Sequence, residues 1–308
     1  MKTMNRLISV LGCGIVLALP VAAWSQQEAV TGSYDSKNDW IVFQWLNATT
    51  GKQQATYDSS NKVKPTINTA VAFDQAAGVY TYSFQFGNLA GAAQLLQKIF
   101  ISHPSAVSGS TTPSSEWDGG EYRNKGIWEY DKSTGTTHGI PAGQSVSGFS
   151  FKSKGLPAIV DVSFTGKRRA RFNTPSDDYD TQEVQTSFNR VFEAMKAQYP
   201  TKFVDAVKQK TVGPVDPPAT FNAASAIQNL IALVNQSRAP GWIDNDGIVT
   251  SLLAKLNNAA SKVGSDKATT KNVLGAFLSD VSAQNGKHLT AEAYALLFFN
   301  GQYVVNHL

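Results

Sequence analysis

The spacing of apolar residues changes once along this chain, and that change limits the folds it can adopt. Between residues 31 and 172 apolar and polar side chains alternate, as around Tyr80, Tyr82 and Phe84, which is the period of a strand with one buried face. Beyond Thr181 apolar residues recur every three or four positions, which is typical of amphipathic helices. The sequence therefore predicts an α+β protein with strands first and helices afterwards.

The strand region predicts an antiparallel arrangement. Alternation also occurs at 149–151 and 160–164, and short apolar runs lie at 99–101 and 126–130. No long helical period interrupts these segments, so the crossover helices that a parallel sheet needs are missing. We expect an antiparallel Ig-like β-sandwich. The stretch 103–125, rich in Ser, Thr, Pro and Gly, predicts a long exposed loop.

The helical region begins near Asp180 or Thr181, either of which could cap the first helix. Pro200 ends that helix, and the following residues predict one more turn. The run Gly213–Pro218 is stiff because proline fixes the backbone and removes amide donors, so it predicts a linker. Four apolar stripes follow it, which predict a small all-α helical bundle. They are centred on Leu230, Leu252, Phe277 and Leu297.

The first residues are typical of a secretory signal peptide. Lys2 and Arg6 precede an uncharged apolar run, and Ala23–Ser25 offers small residues for cleavage. The only cysteine, Cys13, lies inside this run, so the cleaved protein would have no disulfide and no cysteine ligand for a metal. A retained anchor or a lipid on Cys13 is the alternative. We expect a secreted or periplasmic protein, with attachment to the cell surface left open and no membrane span after cleavage.

These signals divide the chain into five segments. They are a signal peptide at 1–25, a β-sandwich domain at 26–180, a helical extension at 181–211, a proline-rich linker at 212–221 and a helical domain at 222–308.

The charge of the chain argues against nucleic acid as a partner. The formal net charge is +4, of which Lys2 and Arg6 contribute two, and the remainder is too small for a polyanion-binding surface. One basic run at 167–171 is followed by an acidic stretch at 177–180. We interpret the pair as a solvated turn with partly neutralised charges, and a polyanion site is the alternative.

The segment IDNDGI at 243–248 raises the question of a calcium loop. Counted from Asp244, an EF-hand would need an oxygen ligand at Ile248 and a glutamate at Lys255, so the motif fails. Asp246 is instead expected to cap the next helix, with Trp242 and Ile243 packing beneath it.

The last third of the chain resembles a known family. It includes ALVNQSRAPGWIDNDGIVTSLLAKLNNAASKVG and NVLGAFLSDVSAQNGKHLTAEAYALLFFNGQYVV. Over residues 222–308 this is similar to the FIMAH domain of bacterial secreted proteins. The resemblance implies a small helical module with an accessory or interaction role, and no catalytic residues come with it. More weakly, VYTYSFQFGNL and GIPAGQSVSGFSFKSKGLPAIVDVSFTG resemble uncharacterised β-sandwich regions of secreted bacterial proteins, which implies architecture only.

Catalytic and metal motifs fail on inspection. The four histidines show no metal-ligand spacing and are expected on the surface or in turns; they are His103, His138, His288 and His307. At 143–148 a serine replaces the second glycine of a nucleophile elbow. We therefore predict no enzyme, no cofactor and no metal.

Two groups of acidic residues leave alternatives open. A carboxylate pair for glycoside hydrolysis could come from Glu116, Asp118, Glu121 and Glu129. A calcium site could come from Asp177, Asp178 and Asp180, although capping of the next helix is the preferred interpretation.

A cluster of aromatic residues provides the candidate ligand-binding site. It consists of Trp117, Tyr122, Trp128 and Tyr130. Exposed rings there could stack on a sugar or anchor a protein, whereas the alternative places Trp128 in the core. We predict a non-catalytic binding or interaction protein, for adhesion or as an accessory, whose partner is an unknown extracellular protein or glycan. A carbohydrate-binding protein that uses these aromatics, or a hydrolase with an unrecognised carboxylate site, is the alternative.

Overall fold

The computed structural model describes four stretches of the chain, namely 29–121, 126–130, 139–176 and 178–308, with backbone alone at 119–121 and 126–130. The expected signal peptide and Cys13 lie outside these residues. Within them, mostly antiparallel sheets combine with helices, which confirms the α+β class. No helix in the described stretches has the length and apolar character to cross a membrane.

Twelve strands and five α-helices occur in the described residues. The strands are β1 Val30–Asp35, β2 Trp40–Asn47, β3 Gly51–Tyr57, β4 Pro65–Asp74, β5 Val79–Asn88, β6 Leu96–Ile101, β7 Val107–Thr111, β8 Trp117–Glu121, β9 Gly126–Tyr130, β10 Gln144–Ser153, β11 Leu156–Gly166 and β12 Val207–Val215. The helices are α1 Gln182–Gln198, α2 Ala223–Gln236, α3 Asp246–Lys262, α4 Lys267–Gln284 and α5 Ala291–His307, with a 3-10 turn at Pro200–Phe203.

The first three strands form a sheet that packs against α1. In β2 the alternation buries Phe43, whose ring centroid lies 5.0 Å from that of Phe188 on α1. Gly32 is required in β1 because a Cβ there would lie 2.8 Å from Met195. We call β1–β3 with α1 the N-terminal unit. Its core is separate from that of the later strands, so the predicted single sandwich over 26–180 does not describe this arrangement.

The other strands form two facing sheets, with strand orders β4-β5-β10-β7 and β12-β11-β6-β9-β8. Aromatic side chains from both meet between them: Phe86 and Phe164 have ring centroids 6.0 Å apart. We call these the paired sheets. β7 and β8 lie inside 103–125, so the prediction of one long exposed loop is wrong. Only the first residue of β7 is buried, so its polar sequence lacks the alternation of a core strand.

Strand β12 corrects the predicted helical extension and linker. It pairs with β11 from Val207 opposite Phe164 to Val215 opposite Leu156, where the sequence predicted a helix to 211 and a linker from 212. Pro214 is tolerated because β12 is an edge strand of its sheet, where a missing amide donor costs little.

The four predicted helices of the last segment are present, each with a polar cap. The cap of α3 is Asn245 and not Asp246, because the Asn245 side chain accepts hydrogen bonds from the amides of Gly247 (2.8 Å) and Ile248 (3.1 Å). Asp246 is the first helical residue and pairs with Arg238. Trp242 and Ile243 are buried as expected.

Helix α5 joins the other helices to the paired sheets. It is apolar almost all round, and such a helix is stable only when covered on several sides. On its sheet side Phe299 packs edge-on against Tyr80 at 5.4 Å, and Glu292 accepts a hydrogen bond from the backbone amide of Thr69 in β4. The helices and the paired sheets therefore share one continuous hydrophobic core.

Candidate functional site

A cleft of about 490 Å³ opens where the paired sheets meet the helices. It lies between the start of β11, the end of β12, the connection to α2, and the facing sides of α2 and α5. Its apolar walls include Leu156, Leu233 and Val304. A concave, mainly apolar space of this size with a few polar groups is the usual form of a small-molecule site.

The proline pair after β12 keeps this cleft open. Pro217 and Pro218 are exposed and line it, and their fixed backbone angles lead the chain away from the sheet before α2 begins. Asn222 then caps α2 by accepting a hydrogen bond from the amide of Ser225 at 2.9 Å. The connection therefore runs along the edge of the cleft and does not fill it.

Asn300 supplies the buried polar group of the cleft. Its side chain is 7% exposed, and its amide nitrogen donates to the carbonyls of Pro157 and Leu296, both at 2.8 Å. Both amide hydrogens are thus used. The amide oxygen has no hydrogen-bond partner in the described part of the chain, so this lining residue keeps a free hydrogen-bond acceptor.

Asp216 is the one charged residue among the described residues that line the cleft. One of its carboxylate oxygens accepts a hydrogen bond of 2.6 Å from the buried hydroxyl of Ser105, which holds the side chain in place. Asp216 forms no ion pair within the described residues. Its charge is therefore positioned by the fold but not neutralised by it.

His103 contacts Ser105, the residue that holds this carboxylate, and its position contradicts the sequence prediction. It is 6% exposed, whereas surface or turn positions were predicted for all four histidines. Its Nδ1 bonds the carbonyl of Ser105 at 2.9 Å, while its Nε2 is buried with no partner in the described residues. The centroid of its ring lies 5.9 Å from that of Phe151, so His103 packs against an aromatic residue of the core.

The other histidines and the acidic residues form no metal site in the described residues, where no group of three possible ligands occurs. His288 is partly exposed and pairs with Asp244 at 2.8 Å, and His307 is exposed. His138 lies outside the described residues.

One of the four residues of the predicted aromatic site, Trp117, is not exposed as expected. Trp117 is only 7% exposed and packs edge-on against Phe149 at 5.0 Å, so it cannot present its face to a ligand. The reason is the alternation of β8, which buries Trp117 and exposes Asp118. Tyr122 lies outside the described residues. Trp128 and Tyr130 belong to β9, where only the backbone is described.

The candidate carboxylates are brought together only in part. The register of β8 and β9 places Asp118 opposite Glu129. Glu116 and Asp118 are exposed, and for Glu121 and Glu129 the backbone alone is described. A carboxylate pair for hydrolysis stays a hypothesis.

The acidic stretch before α1 has a structural role at Asp180. Its carboxylate accepts hydrogen bonds from the indole of Trp45 (2.9 Å) and the amide of Asn47 (2.8 Å). Thr181 caps α1 by accepting from the amide of Val184. Asp177 and Asp178 are the other two possible calcium ligands, and Asp177 lies outside the described residues.

The basic run at 167–171 contacts acidic residues other than those predicted. Arg169 binds the fully buried carboxylate of Asp58 through its side chain and its backbone amide, each at 2.8 Å. Lys62 reaches the same carboxylate at 2.7 Å, and Gln94 donates to it at 3.1 Å. We call Asp58, Lys62, Gln94 and Arg169 the charged junction. Burial would raise the pKa of Asp58, but the hydrogen bonds from Arg169 and Lys62 outweigh it and hold that pKa well below its usual range.

A second carboxylate continues this network. Asp205 accepts hydrogen bonds from Tyr57 (2.6 Å) and from Arg168 (2.9 Å). Burial and the bond to Asp205 raise the pKa of the Tyr57 hydroxyl. These residues link the N-terminal unit to the chain that enters and leaves the paired sheets, so the perturbed pKa values here have a structural cause and do not indicate a reactive site.

No protein-family model matches this chain, and a search among curated proteins finds no match either.

Sequence reasoning missed the cleft, because its residues come from distant parts of the chain. One local signal existed for Asn300: it directly follows the apolar run ALLFF and lies four residues after Leu296, on the same side of the helix. A polar residue on the buried side of a helix needs partners, which points to a junction or a binding site.

Proposed function

We propose that this chain is a non-catalytic, exported binding protein and that the cleft between the paired sheets and α2 and α5 holds its ligand. The observation that carries the proposal is the combination of apolar walls with two polar groups, Asn300 and Asp216, that the fold fixes in position. A binding site needs such fixed polar groups for orientation and apolar walls for affinity.

The proposed architecture extends the same interpretation. We propose that the paired sheets are an Ig-like β-sandwich domain and that residues 222–308 are a FIMAH-like helical domain. Two facing antiparallel sheets support the first, and four capped helices over the range of the resemblance support the second. Export is supported by the signal-peptide pattern alone, and a mature terminus at Gln26 in the extracellular or periplasmic fraction is its test.

The cleft is a better candidate than the predicted aromatics. The carbohydrate alternative depends on exposed rings, and the burial of Trp117 removes one of the four. The cleft does not depend on any residue outside the described stretches.

Binding of a neutral apolar probe tests the proposal. We expect cyclohexylmethanol to shift the NMR signals of residues that line the cleft in the mature chain. Ser225→Trp should abolish the effect, since Ser225 is an exposed lining residue of α2 and an indole there would fill the cleft. Gln228→Trp is the matched control, because Gln228 is exposed on α2 outside the lining. If both tryptophan variants bind like the unmodified chain, the cleft is not the site.

A further inference from the structure

We infer that the cleft selects small amphiphilic amines, which would place an apolar body against its walls and a cationic head at Asp216. This inference rests on the proposed function and adds the chemical class of the ligand.

The charge of the lining favours a cation. Asp216 carries a negative charge, and the other polar residues that line the cleft are neutral; they are Thr220, Asn222, Ser225, Asn229, Asn300 and Tyr303. Among the residues that the structure describes, no lysine or arginine lines the cleft. An ammonium group entering it would meet an attractive charge with no competing cation on the lining.

The hydrogen bonds around Asp216 leave an oxygen for a ligand. Ser105 donates to Oδ1, and no other described group bonds the carboxylate. The hydroxyl of Ser105 lies 3.1 Å from that of Ser153. Ser153 donates to the carbonyl of Ala106 and accepts from the amide of Gly155, so the residue next to Ser105 is held in place by hydrogen bonds of its own. A ligand that donates a hydrogen bond to Oδ2 would give each carboxylate oxygen a partner without displacing any protein contact.

Asn300 provides a second acceptor of the same kind. Because its two amide hydrogens go to Pro157 and Leu296, it can accept a hydrogen bond but cannot donate one. A ligand with several N–H donors can bond to both Asn300 and Asp216. An anionic carboxylate ligand has no donor for either of them.

One feature of the cleft favours the opposite charge. The first turn of α2 lines it, and the start of a helix attracts anions. The Asn222 side chain already accepts from the Ser225 amide there, so one of the donors at this end is occupied. Asp216 would also repel an anion at the same opening. We therefore assign the preference to cations, and an anionic probe is included in the test.

The size of the cleft fixes the kind of occupant. About 490 Å³ lies within the range of small-molecule pockets, which is roughly 300–1,000 Å³. The space suits one ring or a short branched chain with its head group, so the inferred ligand is a free small molecule.

Three probes with the same ring separate the possibilities: cyclohexylmethylamine, cyclohexylmethanol and cyclohexanecarboxylate. We expect the mature chain at low salt to bind the amine about two- to five-fold more tightly than the alcohol, the range that an ion pair open to solvent supplies. The carboxylate should bind most weakly, and added salt should reduce the advantage of the amine.

Substitution of the carboxylate identifies its source. Asp216→Asn keeps an oxygen that can accept from Ser105, and it should make amine and alcohol bind equally. Asp161→Asn removes an exposed carboxylate in β11, outside the lining, and should leave the preference unchanged. An amine that binds no more tightly than the alcohol, or a preference that survives Asp216→Asn, overturns the inference. The proposed function is tested separately. It fails if the alcohol does not bind the mature chain, or if Ser225→Trp does not abolish that binding.

Discussion

The N-terminal unit and the helices α2–α5 are joined to the paired sheets in opposite ways. The N-terminal unit has a core of its own and is tied on through the charged junction and the bonds of Asp205. The helices share a continuous apolar core with the paired sheets through α5. A charged connection depends on each of its partners, because an unpaired buried charge is costly. An apolar connection is less directional, and it can leave space at its margin, as it does at the cleft.

Removal of Asp58 should give the largest effect. Asp58→Ala would leave Arg169 and Lys62 without their buried partner, and we expect a loss of about 3–5 kcal/mol in the free energy of unfolding. Urea titration followed by circular dichroism measures it. The control is Asp161→Ala, which breaks an exposed pair with Lys210 and should cost about 1 kcal/mol or less. Equal losses in the two variants would contradict the importance of the charged junction.

Removal of Phe299 tests the apolar connection. Phe299→Ala would leave a cavity between α5 and Tyr80, and we expect a loss of about 3 kcal/mol. Thermal and urea unfolding at low and high salt measure it, and the loss should not depend on salt because no charge is involved. Leu46→Ala is the control, since Leu46 is 66% exposed and its removal should change little. A loss near zero for Phe299→Ala would mean that α5 is not held by its apolar contacts.

Acid should weaken the charged connection of the N-terminal unit more than the apolar connection of the helices. We expect this effect to be smaller than those of Asp58→Ala and Phe299→Ala. Asp39 lies between β1 and β2 and pairs with Lys62 of the charged junction at 3.3 Å. Burial raises the pKa of Asp39, but hydrogen bonds from Lys202 and Tyr34 outweigh it and lower that pKa to about 2, from an ordinary value of 3.8. A lowered folded-state pKa stabilises the fold above the ordinary value, and that contribution is lost as the pH falls from about 4 towards 2. The pKa values of Asp58 and Asp205 are lowered as well.

Amide hydrogen exchange can locate this acid effect. Between pH 5 and pH 2 we expect protection factors in β2 to fall more than those in α5. Asp39→Asn should reduce the difference, since the substituted side chain no longer titrates. Equal loss of protection in β2 and α5 would show that the charged connection is not the acid-sensitive one.

The helices could be predicted well from sequence, because their apolar stripes and polar caps are local. Asn245 rather than Asp246 as the cap of α3 is a one-residue error of the kind that adjacent capping residues produce. Strand β12 was missed although Lys208 and Lys210 alternate with less exposed neighbours, because Pro214 and the residues around it suggested a linker. Proline at an edge strand cannot be distinguished from proline in a linker without knowledge of the neighbouring strand.

The assignment of strands to units could not be predicted from the chain. Alternation shows that β2 buries one face, but it does not tell whether Phe43 packs against another sheet or against α1. The cleft was unpredictable for the same reason, since Pro157, Asp216 and Asn300 come together only through the tertiary fold. Trp117 was wrongly interpreted as exposed, because a tryptophan beside polar residues can lie on the inner side of an edge strand.

The N-terminal unit is discontinuous in sequence, which has a consequence during synthesis. Its strands end at Tyr57, and the helix that covers them begins only at Gln182, after almost all of the paired sheets. Until that helix emerges, the apolar face formed by Ile41, Phe43 and Trp45 has no partner of its own. The nascent chain would therefore expose this apolar face for most of its elongation, and such exposed surface favours aggregation until the helix covers it.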